Sequence, residues 1–78
     1  MTRAFQFRNY AVYVLDERGQ PHHRPHGHVK HRGRRVASVF LETLTIFDES
    51  ESLPRDLLAK IGDEQEALLG LWTELNDE

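Results

Sequence analysis

The sequence predicts a small α+β domain, in which an antiparallel sheet of three to four strands carries a C-terminal helix on one face. Short runs rich in β-branched and aromatic residues fill the first part of the chain, and a helical period follows them. The length of 78 residues suits one domain. We therefore expect a single domain over residues 1–78, with strands from about 4 to 47 and a helical segment from about 54 to 76.

Two β-prone runs precede a predicted turn. Phe5–Phe7 alternates apolar and polar side chains, and Tyr10–Leu15 is apolar on both faces, which is typical of a central strand or a strand at an interface. Glycine and proline in residues 16–21 predict a turn after the second run. Because prolines also lie at 21 and 25, we expect residues 22–26 to form an extended loop.

The next runs predict a hairpin and a further strand. His28–His31 can form a short strand that ends at the turn Arg32-Gly33, and Arg34–Leu41 is the second strong strand. Thr43–Phe47 is another β-prone run, and an acidic loop follows it over residues 48–52.

The last segment has the period of an amphipathic helix. Pro54 suits a first helical position, and Gly62 interrupts the pattern just before residues 63–66, which resemble a capping box with Asp in place of Ser or Thr. We favour a bend or break at Gly62 over one continuous helix. Trp72 is most simply a core anchor, and on a rim it would be an interface residue. The apolar stripe consists of Leu57, Ile61, Leu68, Trp72 and Leu75.

The composition excludes several classes of protein. The absence of cysteine rules out disulfides, thiolate zinc sites, iron–sulfur clusters and cysteine nucleophiles. Because so short a chain has a thin core, we expect a protein partner or a homodimer to add stability. The apolar runs are too short to span a membrane, and the N-terminus lacks the pattern of a signal peptide. We therefore expect a cytoplasmic protein without a membrane segment.

The net charge of −3 conceals two oppositely charged halves. Residues 1–41 contain eight basic and two acidic residues, a net +6, whereas residues 42–78 contain two basic and eleven acidic residues, a net −9. Residues 18–35 hold six basic residues, all five histidines and no acidic residue. This local positive field favours a phosphate-bearing or carboxylate-bearing partner. The alternative is that the two halves only attract each other on folding.

The histidines are the one cluster that could carry chemistry. If the chain is extended from His26, the period of a strand places His26 and His28 on one face and His31 on the other. His26 and His28 could act as general acid and base on RNA, while a nearby basic residue offsets the phosphate charge. The alternative is a proline-stiffened loop whose histidines only pack, cap or pair with acidic groups.

The same histidines could hold a divalent metal, and the sequence indicates no other cofactor. Two imidazoles do not make a firm site, so a third ligand is needed. It could come from His22, His23, Asp16 or Glu17. No firm metal site follows, and the candidate ligands are His22, His26 and His28.

The basic residues around the histidines are candidates for binding a nucleic acid or an acidic surface. Tyr10 and Tyr13 could stack on bases, although aromatic residues in strands more often pack in a core. The alternative for the three arginines within 32–35 is a charged edge that blocks pairing between sheets. The candidate binding residues are Arg24, His26, His28, Lys30, Arg32, Arg34 and Arg35.

Several short segments occur in a recognisable order: His26-Gly27-His28-Val29, Arg35–Leu41, Glu42-Thr43-Leu44, Leu53-Pro54, and Leu68-Leu69 with Trp72. From about Phe5 to Trp72 the chain resembles the family of small prokaryotic proteins known as domain of unknown function 4160. It departs from that pattern at Arg24-Pro25, where paired prolines are usual, and in its extra histidines at 22, 23 and 31. The resemblance implies a small α+β protein, often encoded beside another small protein as in toxin–antitoxin pairs. It implies no established activity.

Two hypotheses for the function follow. We expect a small non-enzymatic interaction module, a component of a toxin–antitoxin-like or other two-protein system, whose basic His-rich loop binds a partner or nucleic acid. The alternative is a small RNA-cleaving toxin that uses His26 and His28 as general acid and base or as metal ligands.

Overall fold

The structure, a computed structural model, describes residues 2–15 and 24–76. Its strands form one antiparallel sheet in the order β1-β2-β3-β4-β5. The predicted α+β class is confirmed, but the sheet has five strands instead of three to four, because both short edge runs pair with their neighbours. The elements within the described ranges are β1 (Thr2–Phe7), β2 (Tyr10–Val14), β3 (His26–His31), β4 (Arg34–Phe40), β5 (Thr45–Phe47), α1 (Arg55–Asp63) and α2 (Gln65–Asn76).

Five strand boundaries differ from the predicted ones. Besides the two in β3 and β4, β1 begins at Thr2 instead of Phe5, β2 ends at Val14 instead of Leu15, and β5 begins at Thr45 instead of Thr43. β3 begins at His26 and not at His28, because His26 pairs with Phe40 and the Leu41 backbone N–H donates to the Pro25 carbonyl at 2.9 Å. β4 ends at Phe40, one residue earlier than predicted. There the Leu44 N–H donates to the Phe40 carbonyl at 2.7 Å, and Leu44 adopts a φ of 61°. The chain therefore turns before β5 begins.

Both helices pack on one side of the sheet, which we call the core face. Val12, Val14 and Val29 are fully buried there, together with Leu57 of α1 and Leu68 of α2. Burying one such side chain contributes about 1.5–3 kcal/mol. The other buried apolar residues of this core are Val36, Ala37, Val39, Leu41, Leu53 and Ile61.

The helical segment breaks at Glu64, two residues after the predicted position, Gly62. Gly62 lies inside α1 and does not end the helix. A Cβ at this position would meet Leu44 Cδ1 at 3.7 Å, which is an ordinary van der Waals contact. Glu64 has a φ of −97° and a ψ of 8°. Its N–H donates to the Lys60 carbonyl at 3.0 Å, and its own carbonyl accepts from Leu68 N–H at 2.8 Å. One residue therefore ends α1 and begins α2.

The C-terminal end of the helical stripe is less buried than the rest of the stripe. Pro54 precedes α1 with a ψ of 147° and so caps the helix instead of opening it. Trp72 and Leu75 are half-buried and pack against the core, as the core-anchor interpretation of Trp72 predicts. Neither of the two helices that the structure describes is long and apolar enough to cross a membrane.

We expect Gly27→Ala to lower the free energy of unfolding by about 1–3 kcal/mol, as overpacked cores do. A Cβ at Gly27 would lie 2.7 Å from the Tyr13 carbonyl oxygen, and this backbone atom cannot move without disturbing β2. Gly70→Ala is the matched control, because Gly70 is exposed within α2 and its Cβ would meet nothing within 4 Å. It should raise stability by about 0.5–1 kcal/mol. Urea unfolding measures both, and equal effects would contradict the packing argument.

Candidate functional site

Most of the predicted site residues lie on the side of the sheet opposite the helices. Because Val12, Val14 and Val29 point into the core, the residues between them point the other way. The strand pairings then set Tyr13 beside His28 and His26 beside Phe40. We call this side the outer face. Its strand residues include Arg3, Tyr13, His26, His28, Lys30, Arg35, Ser38, Phe40, Thr45 and Phe47.

Aromatic rings form a continuous row across β3, β4 and β5 on the outer face. The rings of Phe40 and Phe47 are stacked with centroids 4.2 Å apart. The His26 ring meets Phe47 edge-on at 6.0 Å and lies 5.9 Å from the His28 ring. The predicted placement of His26 and His28 on one face is thus confirmed. All four residues are half-buried.

Basic side chains lie among these rings. The Arg24 guanidinium lies over the Phe40 ring at 4.5 Å, and Lys30 Nζ lies 4.8 Å from the centre of the Tyr13 ring. Such contacts hold a cation over an aromatic face at a modest gain in free energy. None of the strand residues that the structure describes on this side of the sheet is acidic. The outer face is therefore aromatic and cationic at once.

The His26 ring is held in a defined orientation. Its Nδ1 lies 2.8 Å from the Arg24 carbonyl oxygen, and because a carbonyl only accepts, Nδ1 must carry the hydrogen. In the neutral ring Nε2 is then the unprotonated nitrogen. This tautomer is the one in which Nε2 could take a proton or bind a metal.

No described residue supplies the third ligand that a metal site at His26 and His28 would need. Among residues 2–15 and 24–76 no group of three or more His, Cys, Asp or Glu side chains is placed to hold a metal ion. Of the proposed ligands, the described ranges contain the pair His26 and His28. The other proposed ligands, His22, His23, Asp16 and Glu17, lie outside the described residues.

A concave site lies at the turn between β3 and β4. It is a cavity of about 410 Å³, which we call the turn pocket. Three of the predicted binding residues line it, whereas His26 and His28 do not. Its described lining residues are His31, Arg32, Arg34, Arg35, Val36, Ser50 and Glu51.

The turn pocket exists because one end of β4 has no strand beside it. β5 pairs only with residues 38–40 of β4. A bulge at Val36 interrupts the pairing with β3, and the Ser50 backbone N–H and hydroxyl both donate to the Val36 carbonyl, at 2.7 and 3.2 Å. This loop forms the second wall. Consecutive residues point to opposite faces of a strand, yet Arg34 and Arg35 both reach the pocket because it lies at this open edge.

His31 forms the most closely connected cluster at the pocket. Its Nδ1 lies 2.6 Å from Glu51 Oε1, and its ring stacks on Tyr10 with centroids 4.1 Å apart. The Tyr10 hydroxyl also donates to Glu51 Oε1, at 3.4 Å. Burial, and then the Glu51 carboxylate, raise the pKa of Tyr10 above its ordinary value of 10.0. Tyr10 thus packs against a cross-strand neighbour, as the packing interpretation holds.

Sequence reasoning did not single out Ser50 and Glu51. The acidic loop over 48–52 was predicted, but no local pattern shows that Glu51 meets a histidine 20 positions earlier. The sequence places His31 on the face opposite His26 and His28 but predicts no partner for it. Charge complementarity between the basic stretch and this loop was the one available signal.

Comparison with known proteins returns no relative: the chain matches no protein-family model, no curated protein and no solved structure. The resemblance to domain of unknown function 4160 stays a prediction. Any function of the protein must therefore be inferred from its own residues.

We expect Tyr10 to ionise above pH 10, and Glu51→Gln to lower that midpoint without removing the shift that burial causes. The pKa of the folded state is raised, so the stability linked to neutral Tyr10 is fully present below about pH 10 and is lost as the pH rises through the raised value. The phenolate absorbance is measured against pH for the wild type and for Tyr10→Phe. The difference between the two curves is the titration of Tyr10 without that of Tyr13. A midpoint that does not respond to Glu51→Gln would contradict the contact.

Proposed function

We propose that the protein is a small non-enzymatic binding module that holds single-stranded nucleic acid on its outer face. The observation that carries this proposal is the row of rings with basic side chains among them and no acidic strand residue beside them in the part of the sheet that the structure describes. Proteins that bind single strands combine these two features, because rings stack on bases and cations follow the phosphates.

The chemistry of the outer face fits a single strand better than a duplex. A base stacked on an aromatic side chain contributes about 1–3 kcal/mol, and only unpaired bases expose their faces. Phe47 and His26 are half-buried residues, whereas the Phe40 ring already contacts the Phe47 ring and the Arg24 guanidinium. We therefore assign base stacking to Phe47 and His26. Arg24 and Lys30 lie at two places on the same surface, where each could contact a phosphate.

The distribution of charge supports one-sided binding. The acidic residues of α1 and α2 lie on elements that pack against the core face, away from the outer face. Clustered charge of one sign steers an oppositely charged ligand towards that surface. The sequence pI of about 5.9 is no obstacle, because the local field acts on the ligand.

The expectation of a two-protein, toxin–antitoxin-like system depends on the family resemblance and stays a proposal. A protein partner or a homodimer is likewise a prediction. Size-exclusion chromatography of the purified protein addresses the homodimer directly.

RNA cleavage is the second candidate function, and the orientation of His26 favours it. Because Nδ1–H of His26 donates to the Arg24 carbonyl, Nε2 is the nitrogen that could act as a base. The centroid of the His28 ring lies 5.9 Å from that of the His26 ring, and His28 is the potential acid. If this function holds, incubation degrades RNA and His26→Gln/His28→Gln abolishes the degradation. RNA that stays intact with both proteins supports the non-enzymatic proposal.

The binding proposal predicts which basic residues set the salt dependence. We expect Arg24→Gln/Lys30→Gln to reduce the slope of log affinity against log salt by about 0.7 for each phosphate that the variant no longer neutralises. Arg55→Gln/Lys60→Gln on α1 removes the same charge and should leave the slope unchanged. Fluorescence anisotropy with a short labelled single strand measures both. Equal slopes in the two variants, or a wild type that binds no single strand, would overturn the proposal.

A further inference from the structure

We propose that the turn pocket, a site distinct from the row of rings on the outer face, binds the phosphate group of a nucleotide-sized ligand. The pocket is concave, and three arginines line it together with His31, Ser50 and Glu51. Phosphate monoesters are the ligand class that this set of donors fits best.

The chain forces these arginines into one place. Arg32 and Gly33 have φ values of 55° and 83°, so the two residues make a tight hairpin turn with both φ angles positive. Arg34 follows at once, and Arg35 reaches the same pocket because the strand edge beside it is open. Backbone geometry therefore holds three like charges together against their mutual repulsion.

The arginine charges are not neutralised by the described residues. The described ion pairs are Arg8–Asp56, Lys60–Glu64 and His31–Glu51, and none involves a pocket arginine. Arg35 donates to Ser38 Oγ and the Asp48 carbonyl, but both distances are 3.4 Å, long for such bonds. The guanidinium groups therefore retain donors for an anion.

The only carboxylate in the described lining is already engaged. Glu51 accepts from His31 Nδ1 at 2.6 Å and from the Tyr10 hydroxyl at 3.4 Å. These bonds hold it on one wall of the pocket. The described lining contains three guanidinium groups and one carboxylate. The pocket therefore has an excess of positive charge, which favours an anion.

The size of the pocket indicates more than a bare anion. A cavity of about 410 Å³ falls in the range of small-molecule sites, which is about 300–1,000 Å³. Guanidinium groups bind phosphate through two parallel N–H bonds. The remaining volume has room for the group that carries the phosphate, so a nucleoside monophosphate is a suitable probe.

The test is calorimetric titration with adenosine monophosphate and with adenosine. We expect saturable binding of the monophosphate and none of adenosine. Arg32→Gln/Arg34→Gln should weaken binding by about tenfold for each arginine removed, while the matched variant Arg55→Gln/Lys60→Gln binds as wild type does. Arg32 and Arg34 are exposed, so the first variant should keep its fold, which circular dichroism checks.

Three results would overturn the proposal: no binding of the monophosphate, equal binding of adenosine, or equal weakening in the two variants. Binding of single strands to the same proteins tests the outer face separately. The two experiments can therefore give different answers: the monophosphate can fail to bind while single strands bind, or single strands can fail to bind while the monophosphate binds.

Discussion

The register of β3 in the sheet is the constraint on which the rest of the molecule depends. Gly27 and Val29 point into the core, where Val29 is fully buried and Gly27 has no space for a Cβ beside the Tyr13 carbonyl. Alternation then forces His26 and His28 to the outer face. A slip of one residue would bury both imidazoles and expose the valine, which hydrophobic burial opposes. The position of the histidines is thus a consequence of core packing.

The charge split in the sequence becomes a difference between two sides of the protein. Among the described residues two ion pairs join the basic and acidic halves, Arg8–Asp56 at 2.7 Å and His31–Glu51 at 2.6 Å. Arg8 and Asp56 are exposed, and an exposed pair contributes only about 0–1 kcal/mol. Among the described residues, ion pairs between the two halves therefore contribute little to stability.

The sequence predicts features that depend on the local alternation of apolar and polar residues. It does not predict features that depend on contacts between residues far apart in the chain. The fold class and the shared face of His26 and His28 follow from the alternation of strands. The helix break does not follow from Gly62, because a glycine that ends a helix and a glycine inside a helix, as Gly62 is in α1, look alike in one sequence. Glu51 has no periodic neighbour at all, and only the folded loop brings it to His31.

Arg35 connects the two candidate sites. It pairs with Lys30 on the outer face and also lines the turn pocket. Its two bonds of 3.4 Å, to Ser38 Oγ and the Asp48 carbonyl, are weak enough that the guanidinium can turn towards an anion at little cost. One guanidinium cannot serve an anion on both sides at once. A ligand that draws Arg35 into the pocket therefore removes a cation from the outer face, so the two sites would compete for one side chain.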